Sequence, residues 1–131
     1  MTYLLDTSVL LEYSKRAEND RTYRIRQQIE QLDDTDEIAL CGMVIAEFIQ
    51  GMYPDEEARI LPFLSRLPCI STADETFKHA GYLSRDLKNQ GLETPLIDCL
   101  IAATAIVHDS VLVTADRNFE RFPDLKLLLL D

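Results

Sequence analysis

Apolar residues fall in two rhythms along the chain. Short runs dominated by apolar side chains, at Thr2–Leu5, 38–41, Cys69–Ile70, Val111–Thr114 and 126–130, have the length of buried strands. Between them the spacing turns helical. Residues 8–16 read as a helix, and 20–32 as a second, with Ile25, Ile29 and Leu32 at i, i+4 and i+7. Residues 44–52 place Ile45, Phe48 and Met52 on one stripe, and 55–67 form a helix with an expected break at Pro62. Thr72 and Glu75 form a capping-box pair opening the next helix, which Gly91 closes at about Gln90. Thr94 as cap and Pro95 as first residue then open a helix running to about His108. That last helix is apolar nearly all round, so it should be central. Strands alternating with helices predict an α/β fold, with a mainly parallel central sheet and helices on both faces.

Composition sharpens this picture. A chain of 131 residues without repeats or Gly/Ser linkers predicts a single domain spanning 1–131. Cys41, Cys69 and Cys99 are odd in number and widely spaced, which fits free thiols in a reducing cytosol. With only His79 and His108 beside them, no zinc-type cluster can be written. Asp6 interrupts the amino-terminal run, and the apolar stretch 99–107 is too short for a membrane span. The expectation is a soluble cytoplasmic protein.

Charge adds a constraint. Thirteen Lys and Arg face 23 Asp and Glu, a net charge of −10, which excludes a broad metal-free groove for phosphates. Most acids sit at turns and helix starts (Asp33, Asp34, Asp36, Glu37, Asp55, Glu56, Glu57), where they are ordinary. Four others are placed differently. Asp6 and Asp116 follow strands directly, and ligands of open α/β sheets bind outside those carboxyl ends. Asp6 could instead cap the following helix, and Asp116 could be a turn residue before Asn118. Asp98 lies between Ile97 and Cys99 on the most apolar helix, where an unpartnered carboxylate is costly. It calls for a cation, or for an Arg or backbone amides. Glu47 borders the Ile45–Phe48 stripe, and taken alone it is an exposed helix Glu as readily as a site residue. Four carboxylates sharing one pocket would repel one another and need divalent cations to stay ionised. All-oxygen ligands favour Mg²⁺ or Mn²⁺.

These residues resemble the motifs of the PIN-domain nucleases, and among them the VapC-like ribonuclease toxins of toxin–antitoxin pairs. Leu4-Leu5-Asp6-Thr7-Ser8 resembles the first motif and Ala46-Glu47-Phe48-Ile49-Gln50-Gly51 the second. Pro95-Leu96-Ile97-Asp98-Cys99-Leu100-Ile101-Ala102-Ala103 resembles the third, and Leu112-Val113-Thr114-Ala115-Asp116-Arg117-Asn118-Phe119 the fourth. The resemblance implies a PIN-like three-layer α/β/α sandwich and a Mg²⁺- or Mn²⁺-dependent endoribonuclease. Asp6, Glu47, Asp98 and Asp116 would hold the metals, and a metal-activated water would attack the phosphodiester. Ser8 and Thr114 match positions whose hydroxyls support the acids. A small antitoxin and a homodimer are implied as partners, the dimer surface being sought on the 55–67 segment and the helix before it. Two departures stand out. Cys41 and Val44 replace the Ser or Thr common near the start of the Glu47 helix. Asn118 replaces a further acid, and its amide could still bond near the metal.

Lys15, Arg16, Arg21, Arg24 and Arg26 cluster within twelve positions. They read either as an RNA-contacting rim or as a solvated helix face partnered by Glu12, Glu18 and Asp20. Arg85, Lys88, Arg117 and Arg121 are candidates for a second rim. Tyr13, Tyr23 and Phe119 are candidates for base stacking, or are core. The main alternative function is a non-catalytic PIN-like protein-binding module, which metal titration would separate from an enzyme. A haloacid-dehalogenase-like phosphatase would need a second acid where Ser8 stands. Gly42, Gly51, Gly81 and Gly91 form no P-loop or dinucleotide pattern.

Overall fold

The computed structural model describes residues 1–15, 19–33 and 37–131, the side chain of Asp33 excepted. Five strands form one sheet: β1 (Thr2–Leu5), β2 (Glu37–Cys41), β3 (Cys69–Ile70), β4 (Val111–Thr114) and β5 (Lys126–Leu129). Their order is β3-β2-β1-β4-β5, and every pairing is parallel. Among the described residues, six α-helices intervene: α1 (Thr7–Ser14), α2 (Asp20–Asp33), α3 (Gly42–Gln50), α4 (Pro54–Leu64), α5 (Asp74–Asn89) and α6 (Leu96–Val107). From β1 the chain moves outward to β2 and β3, then returns across the sheet to β4 on the other side. Right-handed crossovers in opposite directions put their helices on opposite faces, giving the expected α/β/α layering. The direction reverses between β1 and β4, so a crevice opens outside their carboxyl ends.

Leu4, Leu5, Leu112 and Val113 are fully buried at the sheet centre, with Val44, Phe48 and Ile101 packed from the helices. α6 is central along most of its length. Cys99 to Ala105 are buried, and Thr104 is tolerated there because its hydroxyl donates to the Leu100 carbonyl at 2.8 Å. Its first turn departs from expectation, since Leu96 and Ile97 are exposed.

Other departures lie at element ends. The Thr72/Glu75 capping box is absent: Ala73 occupies the N-cap of α5, and no side chain caps it. Asp74 and Glu75 instead sit in the first turn, where the helix dipole favours them. Thr94 does not cap α6 either. Pro95 is the N-cap residue, and the Thr94 hydroxyl donates to the Leu92 carbonyl at 3.3 Å. Pro62 lies inside α4 without ending it there, and the helix closes two residues later at Leu64. Gly91 does close α5, with φ +78°. The Leu92 N–H donates to the Leu87 carbonyl at 2.9 Å and the Gly91 N–H to that of Lys88 at 3.0 Å, a Schellman closure.

Candidate active site

The carboxyl end of β1 delivers Asp6 into the β1/β4 crevice, its N–H donating to the Val113 carbonyl at 2.9 Å. Asp6 stands at the N-cap position of α1, yet its carboxylate makes no capping bond. Its Oδ2 accepts instead from Ser8 Oγ and from Thr114 Oγ1, each at 2.8 Å. The Ser8 and Thr114 oxygens are 3.1 Å apart. A hydroxyl has one hydrogen, and both hydrogens go to Asp6, so this close approach is not a third bond. Both hydroxyls also accept: Ser8 from the Ala115 N–H at 2.9 Å, Thr114 from the Asp116 N–H at 3.0 Å. Ser8 and Thr114 thus form a hydroxyl pair on Asp6 that ties β1 to the end of β4.

Glu47 comes from α3, which starts where β2 ends. The Thr7 hydroxyl donates to Glu47 Oε1 at 2.9 Å. Sequence reasoning passed over Thr7. The available signal was a hydroxyl directly after a strand-end Asp, at the first residue of a helix. Asp116 follows β4 and heads the 3-10 turn Arg117–Arg121, where its Oδ1 accepts from the Asn118 N–H at 2.9 Å. Both readings of Asp116 hold together: it is the turn's cap and lies at a strand's carboxyl end.

Asp98 is the third residue of α6 and half-buried. It accepts no hydrogen bond and forms no ion pair among the described residues. Burial pushes its carboxyl up to about 6, and the charges of Asp6, Glu47 and Asp116 push the same way against a weaker pull from Arg121. Asp98 therefore lies within electrostatic reach of the other three acids, although they come from separate elements. Each of the other three has one oxygen bonded to a hydroxyl or amide. Among the described residues, Asp6 Oδ1, Glu47 Oε2, Asp116 Oδ2 and both oxygens of Asp98 have no hydrogen-bond donor.

Among the described residues, no group of three or more His, Cys, Asp or Glu is placed so that it could hold a metal ion. The donor chemistry nonetheless fits a hard divalent cation. The open atoms are all carboxylate oxygens, and their repulsion is what a cation would relieve.

The basic cluster is placed elsewhere. Lys15 follows the end of α1 opposite Asp6, nine residues on. Lys15 Nζ at 2.6 Å and Arg21 Nη1 at 2.8 Å both pair with Glu12 Oε1, and the Thr22 hydroxyl donates to Glu12 Oε2 at 2.9 Å. Burial alone would raise the Glu12 carboxyl, but the bonds from Lys15 and Thr22 and the charges of Lys15 and Arg21 hold it below its ordinary value. Glu12 is thus a buried anchor between α1 and α2 rather than a solvated partner. Arg26 donates to the carbonyls of Tyr13 and Lys15, and Arg24 to that of Asp131 at 3.2 Å. Arg16 and Glu18 lie outside the described residues, as do Asp34 and Asp36. Phe119 is core, Tyr13 stacks on Phe63 with ring centroids 4.7 Å apart, and Tyr23 is exposed. Asn118, expected beside the acids, accepts from Arg121 Nη2 at 3.3 Å through its side-chain oxygen.

A parallel sheet whose strand order reverses between β1 and β4, with helices on both faces, defines an α/β protein of the PIN-like kind. The PIN domain family model matches residues 3–125, and the chain belongs to the PIN-domain family. It is 31% identical to ribonuclease VapC2 of Rickettsia felis over 97% of this chain and 96% of the relative. It is 33% identical to ribonuclease VapC19 of Mycobacterium tuberculosis over 74% of this chain and 78% of that one. Among solved structures it resembles VapBC2 of Rickettsia felis bound to a promoter DNA fragment, with TM-score 0.84, 28% identity and full coverage of both chains. It also resembles VapBC-1 of nontypeable Haemophilus influenzae, with TM-score 0.80, 26% identity and 98% coverage of each chain.

Proposed function

We propose that this chain is a VapC-type endoribonuclease toxin that hydrolyses RNA phosphodiester bonds with Mg²⁺ or Mn²⁺ held by Asp6, Glu47, Asp98 and Asp116. One observation supports the reading: Asp98 has no hydrogen-bond donor among the described residues and feels the charges of Asp6, Glu47 and Asp116, each of which is tied back through one oxygen and leaves the other open. A binding module has no need to assemble such a set. When bound, the cation would neutralise these carboxylates, polarise the phosphate and lower the pKa of a water. The chain's own part is positional. Ser8 and Thr114 fix Asp6, Thr7 fixes Glu47, and the Asn118 amide fixes Asp116. Asp98, which has no such partner, adjusts to whatever occupies the crevice.

The similarity to VapC2 and to VapBC assemblies supports an antitoxin partner. The proposal adds that this partner brings positive charge to the acids and that the toxin acts as a homodimer. Three free cysteines suit a reducing cytoplasm, and among the described residues no helix is long and apolar enough to cross a membrane. Lys15, Arg24 and Arg26 remain the proposed RNA rim, together with Arg16, which lies outside the described residues. Lys15 and Arg26 would contribute there only alongside their contacts within the fold.

The test is incubation of purified protein with total RNA in Mg²⁺, Mn²⁺ or EDTA, beside Asp98→Asn. Metal-dependent fragments that vanish in the variant are expected. Cleavage that survives EDTA or the substitution would overturn the metal site. Metal binding without cleavage of any RNA would point to the binding module instead.

A further inference from the structure

Asp98 and Asp116 sit on different elements, and nothing within the acid set fixes their separation. Asp98 belongs to the first turn of α6, entered through Glu93, Thr94 and Pro95. Asp116 heads the 3-10 turn Arg117–Arg121. One side chain spans the gap between these segments. Arg121 Nη1 donates to Thr94 Oγ1 at 3.0 Å and to the Glu93 carbonyl at 3.4 Å, while Nη2 donates to Asn118 Oδ1 at 3.3 Å. Its acceptors thus lie on both sides: the loop leading into Asp98, and the residue whose backbone N–H holds Asp116 Oδ1 at 2.9 Å.

The acceptors are themselves oriented. Thr94 is buried and gives its hydrogen to the Leu92 carbonyl, so a lone pair remains for the guanidinium. Asn118, where the motif commonly carries an acid, offers a neutral carbonyl. The guanidinium is therefore bound as a geometric fork and not drawn into an ion pair at that position. A planar group with five fixed donors can bridge two segments in this way, whereas a lysine ammonium cannot hold the same three acceptors.

We infer that Arg121 is a positioning residue that straps the Asn118 turn to the Thr94 loop and so sets the spacing of Asp116 from Asp98. The inference rests on the nuclease reading given above and adds to it a residue outside the acid set. The strap touches neither acid directly. Its loss would leave the four acids present and loosen the relation between two of them, and partners of ligating residues that are lost typically weaken metal affinity or activity about 10-fold or more.

The experiment compares Arg121→Lys, Thr94→Val and the double variant with the wild-type chain. It has three readouts: amide exchange at Asn118, Mn²⁺ affinity by calorimetry without RNA, and steady-state cleavage. Either single variant should speed exchange at Asn118 and weaken Mn²⁺ binding about 10-fold, leaving the KM for RNA within about twofold. The double variant should be no worse than the singles, because either change cuts the same strap. Wild-type exchange and Mn²⁺ affinity in Arg121→Lys would overturn the inference, since charge alone would then suffice. A change confined to KM would overturn it in favour of a phosphate contact. A wild-type chain that neither takes up Mn²⁺ nor cleaves RNA would sink the nuclease reading, while amide exchange would still decide whether the strap exists.

Discussion

Asp98 carries the sharpest residue-scale consequence. Its folded pKa of about 6 lies above the ordinary 3.8, so between those values the folded chain holds more protons than the unfolded one. The contribution of this group to stability is therefore fully present below about pH 4 and is lost as pH rises through 6. Asp98→Asn removes the ionised form, and the metal-free variant should be more stable than wild type at pH 7.5. After discounting for the exposed half of the side chain, the gain is about 1 kcal/mol, a few degrees in Tm. Thermal melts in EDTA at pH 4 and 7.5 check the sign; equal destabilisation at both values would mean that Asp98 is structurally satisfied. On the proposed function, the same titration would set metal uptake, because protons compete with the cation. Mn²⁺ affinity should fall as pH drops from 7.5 to 5. Glu12 works the other way. Its lowered pKa stabilises the fold above the ordinary carboxylate range, and this is lost as pH falls through the folded value. Glu12→Gln strands two half-exposed cations and should cost about 2 kcal/mol at neutral pH, read from urea unfolding. A loss under about 0.5 kcal/mol would return Glu12 to the solvated helix face its sequence context suggested. That context misled for a physical reason. Burial of Glu12 depends on α2 folding back over α1, and no periodicity within α1 reports it.

At the scale of elements, the strands and helices were legible because their apolar runs and stripes are local. Ends were less legible. A Thr ahead of a helix is a cap only if the backbone starts the helix at the right residue. Thr94 and Thr72 each sit one position before the observed N-cap, and both caps failed for that reason. Gly91 was legible because a positive φ after a helix leaves few alternatives. Gly91→Ala should therefore cost about 1 kcal/mol, although no neighbour would touch the new Cβ. Chemical denaturation measures it, and an unchanged midpoint would mean that the closure relaxes freely. The 3-10 turn Arg117–Arg121 went unread. Five residues carry no period, and the turn is held by Asp116 and by Arg121 reaching across 27 positions to Thr94. The Thr7–Glu47 bond went unread likewise, since it spans 40 positions and requires α1 to pack on α3.

For the whole molecule, topology and charge together decide how RNA is met. The acids are far apart in sequence, and Asp6 and Asp116 are brought to the same sheet end because β1 and β4 are neighbours where the sheet reverses direction. Motif order singled out the candidate acids and the Ser8 and Thr114 hydroxyls, while the bonds from Thr7 and from the Asn118 N–H came only with the fold. The net charge of −10 would repel a polyanion from a metal-free surface. The basic cluster compensates only partly, because Lys15 and Arg21 are neutralised by Glu12. The chain should therefore bind RNA weakly in EDTA, and divalent cations should raise the affinity by filling the acid crevice. Because few phosphates are contacted by Lys or Arg, the slope of log K against log salt should be shallow, about −2 to −3. Among the described rim residues, Arg24, whose hydrogen bond there is to the Asp131 carbonyl, is the freest to contact a phosphate. Arg24→Glu should weaken binding severalfold and flatten that slope by about one unit, with the melting temperature nearly unchanged. Fluorescence anisotropy on a labelled RNA, with Ca²⁺ replacing Mg²⁺ to slow cleavage, reads all three quantities. Tight, steeply salt-dependent binding in EDTA would show a basic surface that the charge distribution does not provide, and would move the RNA path away from the acids.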